Sequence, residues 1–264
     1  MSDPLDLCAG ALFTAWQDRV PLASLDEWLT PGDLAAAYAV QDRLDARMRE
    51  AGRVQVGWKV GVTSPVSLAA MGATEPMTGR IYADSVLAAP ARFAPEQGCE
   101  PRLEGEVLFE LGHDALAAAS DDAALAAMVV SVRPAFEIAD ARVVGWPRDV
   151  AHAIADNALC GWLCPAAEGR AAERIDFAAV AMTMDDGAGT VSAGTGKDCL
   201  GDVRNSLRWF LDHARTRGLK VERGQWLLTG ALGPAVPPRA GARYRVALSG
   251  LGEVTLETTA VERA

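Results

Sequence analysis

The sequence predicts an α+β protein built around a mixed sheet, and three observations carry that reading. Apolar residues within the first fifty positions recur at helical spacing. Several later stretches alternate with a period of two. The helices between those stretches are scattered, with no regular βαβ rhythm.

Leu34, Ala37, Tyr38, Gln41, Leu44 and Met48 fall three or four residues apart, between the turn Pro31-Gly32-Asp33 and the stop at Gly52. That spacing predicts a helix. It also predicts an organisation in which residues 1–52 form a helical N-terminal arm and residues 53–264 a mixed-sheet catalytic domain, one structural unit in all. From Arg53 to Thr63 the pattern alternates, with Val54, Val56, Trp58, Val60 and Val62 on one face. Leu103 to Leu111 and Phe177 to Met184 alternate as well, and Asp186-Gly187 reads as a hairpin turn into Thr190 to Ala193. A helix at Ala123 to Val130 leads into a strand at Arg133 to Ile138. Asp202 as N-cap and Gly218 as C-terminal cap bracket a further helix whose apolar set is Val203, Leu207, Phe210, Leu211 and Ala214. Strands at Trp226 to Thr229, Tyr244 to Leu248 and Glu253 to Glu257 follow.

The chain has 264 residues, half of them apolar, enough for a full core. Its formal net charge is -10 and it has no Lys/Arg-rich stretch, so a polyanion such as nucleic acid is repelled. Should the ligand itself be an anion, the attraction has to be local, through a bound cation or a buried lysine. Five cysteines with no CxxC pair read as reduced thiols of a cytoplasmic protein. The acidic N-terminus does not resemble a signal peptide, and the apolar stretch around Ala123 to Val130 is too short to span a bilayer. No GxGxxG or P-loop pattern points to a nucleotide cofactor.

Glu104-Gly105-Glu106 is the first candidate site. On a strand, positions i and i+2 share a face, so these carboxylates stand side by side, where they repel unless a cation lies between them. A third acid, Glu137, lies in the hydrophobic strand Arg133 to Ile138, where an unpaired carboxylate is costly. Three hard oxygen donors without a matching His or Cys cluster suit Mg²⁺ or Mn²⁺. The competing reading is a solvated edge-strand face with Glu137 paired to an arginine. Lys59 is the second candidate: Gly57 and Gly61 flank it on one strand face, clearing space for a ligand around an ammonium whose pKa burial would lower toward neutrality. The competing reading is a surface lysine. His113, His152 and His213 are scattered and read as structural, and Cys160 and Cys164 as core residues without a His partner.

Taken in order, these segments resemble the 2-hydroxypentadienoate hydratase / 4-oxalocrotonate decarboxylase group of the fumarylacetoacetate hydrolase superfamily. The stretches are Ala37 to Gln41, Trp58 to Ser64, Met71-Gly72 with Glu75-Pro76 and Gly79, Glu104 to Glu106, Pro134 to Arg142, Ile154 to Ala158, and Leu228 to Pro234. The resemblance implies a mixed β-sheet roll of the fumarylacetoacetate hydrolase type, a Mg²⁺ or Mn²⁺ ion on Glu104, Glu106 and Glu137, Lys59 as the catalytic lysine, and Thr229, Gly230 and Ala231 as substrate-binding residues. It implies a small 2-oxo or 2-hydroxy carboxylic acid as substrate, a homo-oligomer, and association with a related hydratase or decarboxylase. The activity it implies is hydration of a 2-hydroxy-2,4-dienoate (2-oxo-4-enoate) from aromatic catabolism. Decarboxylation of a 2-oxo-3-enedioate is the alternative, alongside a catalytically silent relative that binds a 2-oxo acid. Hydrolysis of an acylpyruvate ranks lower, because no His-Glu pair to activate water can be placed. Met77, Leu159 and Cys160 depart from the group, which commonly has Asp after the proline of the Pro76 motif and serines after Asp-Asn-Ala. The departures remove polar groups and leave decarboxylation or a more apolar substrate open.

Overall fold

The computed structural model describes residues 3–112, 122–147, 149–172 and 175–259. Two helices come first, α1 (Pro4–Asp18) and α2 (Leu34–Glu50), capped at their N-termini by the side chains of Asp3 and Asp33. Strand β1 (Gln55–Gly61), the short helix α3 (Pro65–Ala70), and strands β2 (Met77–Tyr82), β3 (Ala91–Phe93) and β4 (Pro101–Leu111) follow. Next are α4 (Asp122–Met128), β5 (Val129–Asp140), α5 (Val150–Ala155), β6 (Cys160–Pro165), β7 (Ala181–Asp185) and β8 (Thr190–Thr195). The chain continues through α6 (Val203–Arg217), β9 (Trp226–Leu228), β10 (Arg243–Leu248) and β11 (Gly252–Thr258).

The strands form two mixed sheets, one of six in the order β2-β1-β9-β4-β5-β6 and one of five in the order β3-β11-β10-β7-β8. The main core lies between them, where Val107, Phe109 and Phe136 from the first meet Met182, Tyr244 and Val246 from the second. Gly105 serves that packing. A Cβ there would lie 2.9 Å from Met182 Sδ and 3.2 Å from Val246, so the glycine admits side chains of the opposite sheet rather than a neighbouring backbone.

A second core joins the N-terminal helices to α5 and β2, through residues such as Leu12, Leu44, Met48, Tyr82 and Ile154. Gln41 ties the three elements together: its side-chain amide donates to the carbonyls of Thr78 and Ile154, each at 2.8 Å. Among the described residues, no helix is long and apolar enough to cross a membrane.

The alternation expected from Arg53 to Thr63 is only partly realised. Trp58 and Val60 are buried, but Val54 is 63% exposed, and a bulge between Gln55 and Gly57 breaks the phase. Val62, with φ +59, lies beyond the end of β1 and is partly buried against the second core instead. The strand expected from Phe177 begins only at Ala181, after a single 3₁₀ turn. The helix at α6 runs from its Asp202 cap to Gly218, whose φ of 64 is the left-handed geometry that ends it.

Candidate metal centre and its cavity

Strand register is what gathers the acids. In the antiparallel pair β4–β5, Glu104 lies directly opposite Glu137, and Glu106 stands two positions further along the same face. The three carboxylates present oxygens all within 4.8 Å of one another. Glu106 and Glu137 are fully buried. Next door, β1 is an internal strand, flanked by β2 and β9. Its Lys59 is 3% exposed, with Nζ 2.9 Å from Glu137 Oε1 and donating to the Ala158 carbonyl at 2.9 Å. The edge-strand and surface-lysine readings are therefore set aside, and the partner of Glu137 is a lysine, not an arginine.

Electrostatics follow from this crowding. Burial, then Glu137, pushes Glu104 up to about 7, and burial with Glu137 and Glu104 raises Glu106 well above the usual carboxylate range. Two interactions oppose the rise at Glu106: the nearby Lys59 ammonium, and the Gly230 N–H, which donates to its Oε2 at 2.8 Å. Burial works against the Lys59 ammonium, yet Glu137, Glu104, Cys160 and Glu106 together outweigh it and hold the group above its ordinary value. That corrects the expectation of a lowered pKa, which considered burial and neglected the three acids.

The glycines beside Lys59 have different duties. Gly61 clears room at the ammonium, since a Cβ there would sit 3.4 Å from Nζ. Gly57 instead lets β9 approach, because a Cβ would meet the Trp226 carbonyl.

The carbonyl that receives Lys59 belongs to an unusual turn. Asn157, Ala158 and Leu159 have φ of 50, 53 and 61, three successive left-handed non-glycine residues, each costing about 1–3 kcal/mol. Surrounding contacts impose the turn. Asn157 accepts from the Arg80 N–H at 2.8 Å through Oδ1 and donates to the Arg80 carbonyl at 2.9 Å, pairing with the outer edge of β2. Arg142 binds the preceding residue, donating from Nε to Asp156 Oδ1 at 2.6 Å and from Nη2 to the Asp156 carbonyl at 2.7 Å. Gly79 leaves space for it, as a Cβ there would fall on the Asn157 carbonyl oxygen. The sequence marks Ile154 to Ala158 as a motif but carries no sign that the turn at its end holds the lysine. Replacing Asn157 with Ala strands two backbone groups of Arg80, and the expected loss of stability is about 1–3 kcal/mol per group, read by urea denaturation. A loss under about 0.5 kcal/mol would show that the turn holds itself.

Lys59, Glu104 and Glu106 open onto a cavity of about 490 Å³. Of the segment Thr229-Gly230-Ala231, Ala231 lines this cavity. Gly230 reaches the site through its N–H on Glu106, and the fully buried Thr229 donates its hydroxyl to the Val107 carbonyl at 3.0 Å. Met77 and Leu159 line the cavity too, and the buried Cys160 thiol, pushed up to about 12 by burial and by Glu137, is no nucleophile.

The two described histidines lie elsewhere. His152 is on α5 with Nε2 3.4 Å from the Leu29 carbonyl, His213 packs on the Tyr38 and Trp209 rings, and His113 lies outside the described residues. All five cysteines are free.

No family model matches the chain. Among curated proteins, it is 33% identical to 2-keto-4-pentenoate hydratase 2 of Dechloromonas aromatica, over 95% of each chain. It is 32% identical to the TodF product hydratase of Pseudomonas putida, over 94% of this chain and 92% of that one. Among solved structures, 4-oxalocrotonate decarboxylase from Pseudomonas putida G7, complexed with magnesium and adipate, superposes with a TM-score of 0.89 at 22% identity, covering 96% of this chain and 97% of that one. Fumarylpyruvate hydrolase from Pseudomonas aeruginosa, in complex with Mn²⁺ and pyruvate, gives 0.56 at 15% identity over 78% and 90% of the two chains. At those identities the structural likeness speaks for the fold, whereas the hydratases share sequence along nearly the whole length. The chain belongs to the 2-keto-4-pentenoate hydratase family, built on the fumarylacetoacetate hydrolase fold.

Proposed function

We propose that the protein is a divalent-metal-dependent lyase that adds water to a 2-hydroxy-2,4-dienoate (2-oxo-4-enoate), with Glu104, Glu106 and Glu137 holding Mg²⁺ or Mn²⁺ and Lys59 handling the proton. The observation that carries it is the convergence of three carboxylates within 4.8 Å, beside a buried lysine, in a chain that shares a third of its residues with hydratases of this kind. The residues fit a cation. Glu106 Oε1 and Glu137 Oε2 are buried with no hydrogen-bond partner, and three carboxylates against one ammonium leave a formal charge of −2. An all-oxygen donor set of that charge suits a hard divalent ion.

Held by these three carboxylates, such an ion would supply an electrophile for an acidic substrate and would stabilise the negative charge that develops on it. The rest falls to the chain. Two of the three Lys59 N–H groups are engaged by Glu137 and Ala158, which leaves one for the cavity. Once the carboxylates that raise its pKa are neutralised, Lys59 gives up and recovers a proton more readily. It can then relay the 2-hydroxyl proton to C5, turning the 2-hydroxy-2,4-dienoate into a 2-oxo-3-enoate. Water adds at C4 of that conjugated ketone and a proton enters at C3, giving a 4-hydroxy-2-oxo acid. Apolar walls formed by residues such as Met77 and Leu159 keep bulk water from competing for these protons.

The test follows loss of dienoate absorbance with Mg²⁺, identifies the 4-hydroxy-2-oxo acid by NMR, and monitors CO₂ from an enedioate in parallel. CO₂ release without hydration would replace this reading with decarboxylation, and turnover of neither would remove it.

Metal removal has a pH signature. Glu104 is raised from 4.5 to about 7 in the folded metal-free protein, so the folded state holds a proton that the unfolded chain has released. Between those values the metal-free protein loses stability as pH rises. Magnesium cancels that penalty, so the Mg²⁺-induced rise in Tm after EDTA treatment is expected to be larger at pH 8 than at pH 6. An equal increment at both would separate Glu104 from the ion.

A further inference from the structure

The cavity beyond the three carboxylates has a character that the shared chemistry does not require. Its volume of about 490 Å³ lies in the range of pockets for drug-sized ligands, about 300–1,000 Å³, and exceeds what a five-carbon acid fills. The walls away from Glu104 and Glu106 are largely apolar, with Val62, Val66, Met71, Met77 and Leu159 among them. Val66 stands 78% exposed on α3, a helix with no buried residue. The polar groups nearby are committed to local structure: Ser64 Oγ accepts from the Ser67 N–H at 3.1 Å, and Ser67 Oγ donates to the Ser64 carbonyl at 3.0 Å.

Charge points the same way. Among the described residues lining the cavity, Lys59 is the single cation, and it is held by Glu137 and Ala158. Arg102 stacks on the Trp146 ring with its guanidinium carbon 4.0 Å from the centroid and is not one of the lining residues. The remaining ionisable group of the lining is an acid, Asp198, whose Oδ2 accepts from the N–H of Thr195 at 2.7 Å and from its hydroxyl at 3.1 Å. A second carboxylate on the substrate would lose its water among apolar side chains and meet no cation of its own.

Resting on the proposed hydratase reading, we infer that the substrate is a monocarboxylic 2-hydroxydienoate whose distal end carries a bulky neutral hydrocarbon group, aryl or extended alkyl, and that dicarboxylic analogues are excluded. Met77, Leu159 and Met71 determine this preference by packing on the tail, and Asp198 repels a distal acid.

The experiment measures binding, not turnover, on the Mg²⁺-loaded full chain. Titration calorimetry compares pyruvate, 2-oxohexanoate, 4-phenyl-2-oxobutanoate and 2-oxoadipate. The phenyl compound is expected to bind at least about tenfold more tightly than pyruvate, because burying a phenyl-sized group is worth that or more. 2-Oxoadipate is expected to bind no more tightly than pyruvate and at least about tenfold more weakly than 2-oxohexanoate. In Asp198→Arg, an exposed position whose cap on Thr195 is lost, so that an unchanged melting curve is required first, 2-oxoadipate should gain at least about fivefold relative to pyruvate. Pyruvate binding without the phenyl gain, a wild-type preference for 2-oxoadipate, or an unchanged ratio in Asp198→Arg overturns the inference and leaves the hydratase reading standing. Binding of no 2-oxo acid, pyruvate included, removes the hydratase reading itself and the inference with it.

Discussion

Lys59→Ala is expected to lower kcat for dienoate hydration by about 10²–10⁴-fold, the usual contribution of a positioned acid–base group, with Mg²⁺ affinity equal to or better than wild type. The asymmetry follows from placement. Lys59 Nζ lies 2.9 Å from Glu137 Oε1, so it competes for an oxygen that the cation needs and is not itself a ligand. Removing it leaves three acids, two of them fully buried, with no nearby ammonium, and breaking one side of a buried pair typically costs about 3–5 kcal/mol. The metal-free variant should therefore melt well below the metal-free wild type and recover most of the difference when Mg²⁺ is added. Steady-state turnover, calorimetric titration with Mg²⁺ and paired melting curves check the three parts. A kcat within about fivefold of wild type would take Lys59 out of the chemistry.

Glu106→Gln is expected to weaken Mg²⁺ binding by more than about 100-fold, since loss of even an outer-shell partner commonly costs about 10–100-fold and this change strikes a proposed ligand. The fold should survive it. The Gly230 N–H that donates to Glu106 Oε2 at 2.8 Å can donate equally to an amide oxygen, and a neutral side chain suits a fully buried position better than a raised, crowded carboxylate. The metal-free variant is thus expected to be at least as stable as wild type, so weak binding cannot be blamed on unfolding. Glu110→Gln is the control. It lies on the same strand face, but its carboxylate is paired with Arg133 Nη2 at 2.8 Å, away from the cluster. Unchanged Mg²⁺ affinity in Glu106→Gln would dismiss the assigned site.

Much of this was legible in the residues because strand periodicity is a strong constraint. Alternation placed Glu104 and Glu106 together, and the hydrophobic context of Glu137 marked an acid that needed a partner. What could not be read was register. The sequence shows that Glu137 sits on a strand, but not that this strand faces Glu104 across an antiparallel pair, because the pairing is set by hydrogen bonds between segments some thirty residues apart. Lys59 was found by its glycine neighbours for partly the wrong reason, since Gly57 admits a backbone and Gly61 alone clears the ammonium. Its raised pKa was missed because the acids that cause it lie on two other strands. The left-handed run from Asn157 to Leu159 left no local signal: none of its residues is glycine, and its geometry is imposed by Arg80, Arg142 and the room left at Gly79. Strands β2 and β6 went unread as well, β2 because its residues are buried on both faces and so do not alternate.

The direct opposition of Glu104 and Glu137 carries a consequence for how the chain reaches its native form. A slip of one position between β4 and β5 would turn one of the two acids away from the other, and the grip on the ion would be lost. If the proposed assignment holds, cation capture would act as a proofreader of pairing. Correctly zipped molecules are drawn off by mass action while mispaired ones gain nothing, and refolding in the presence of magnesium should return a larger share of active protein than refolding in its absence.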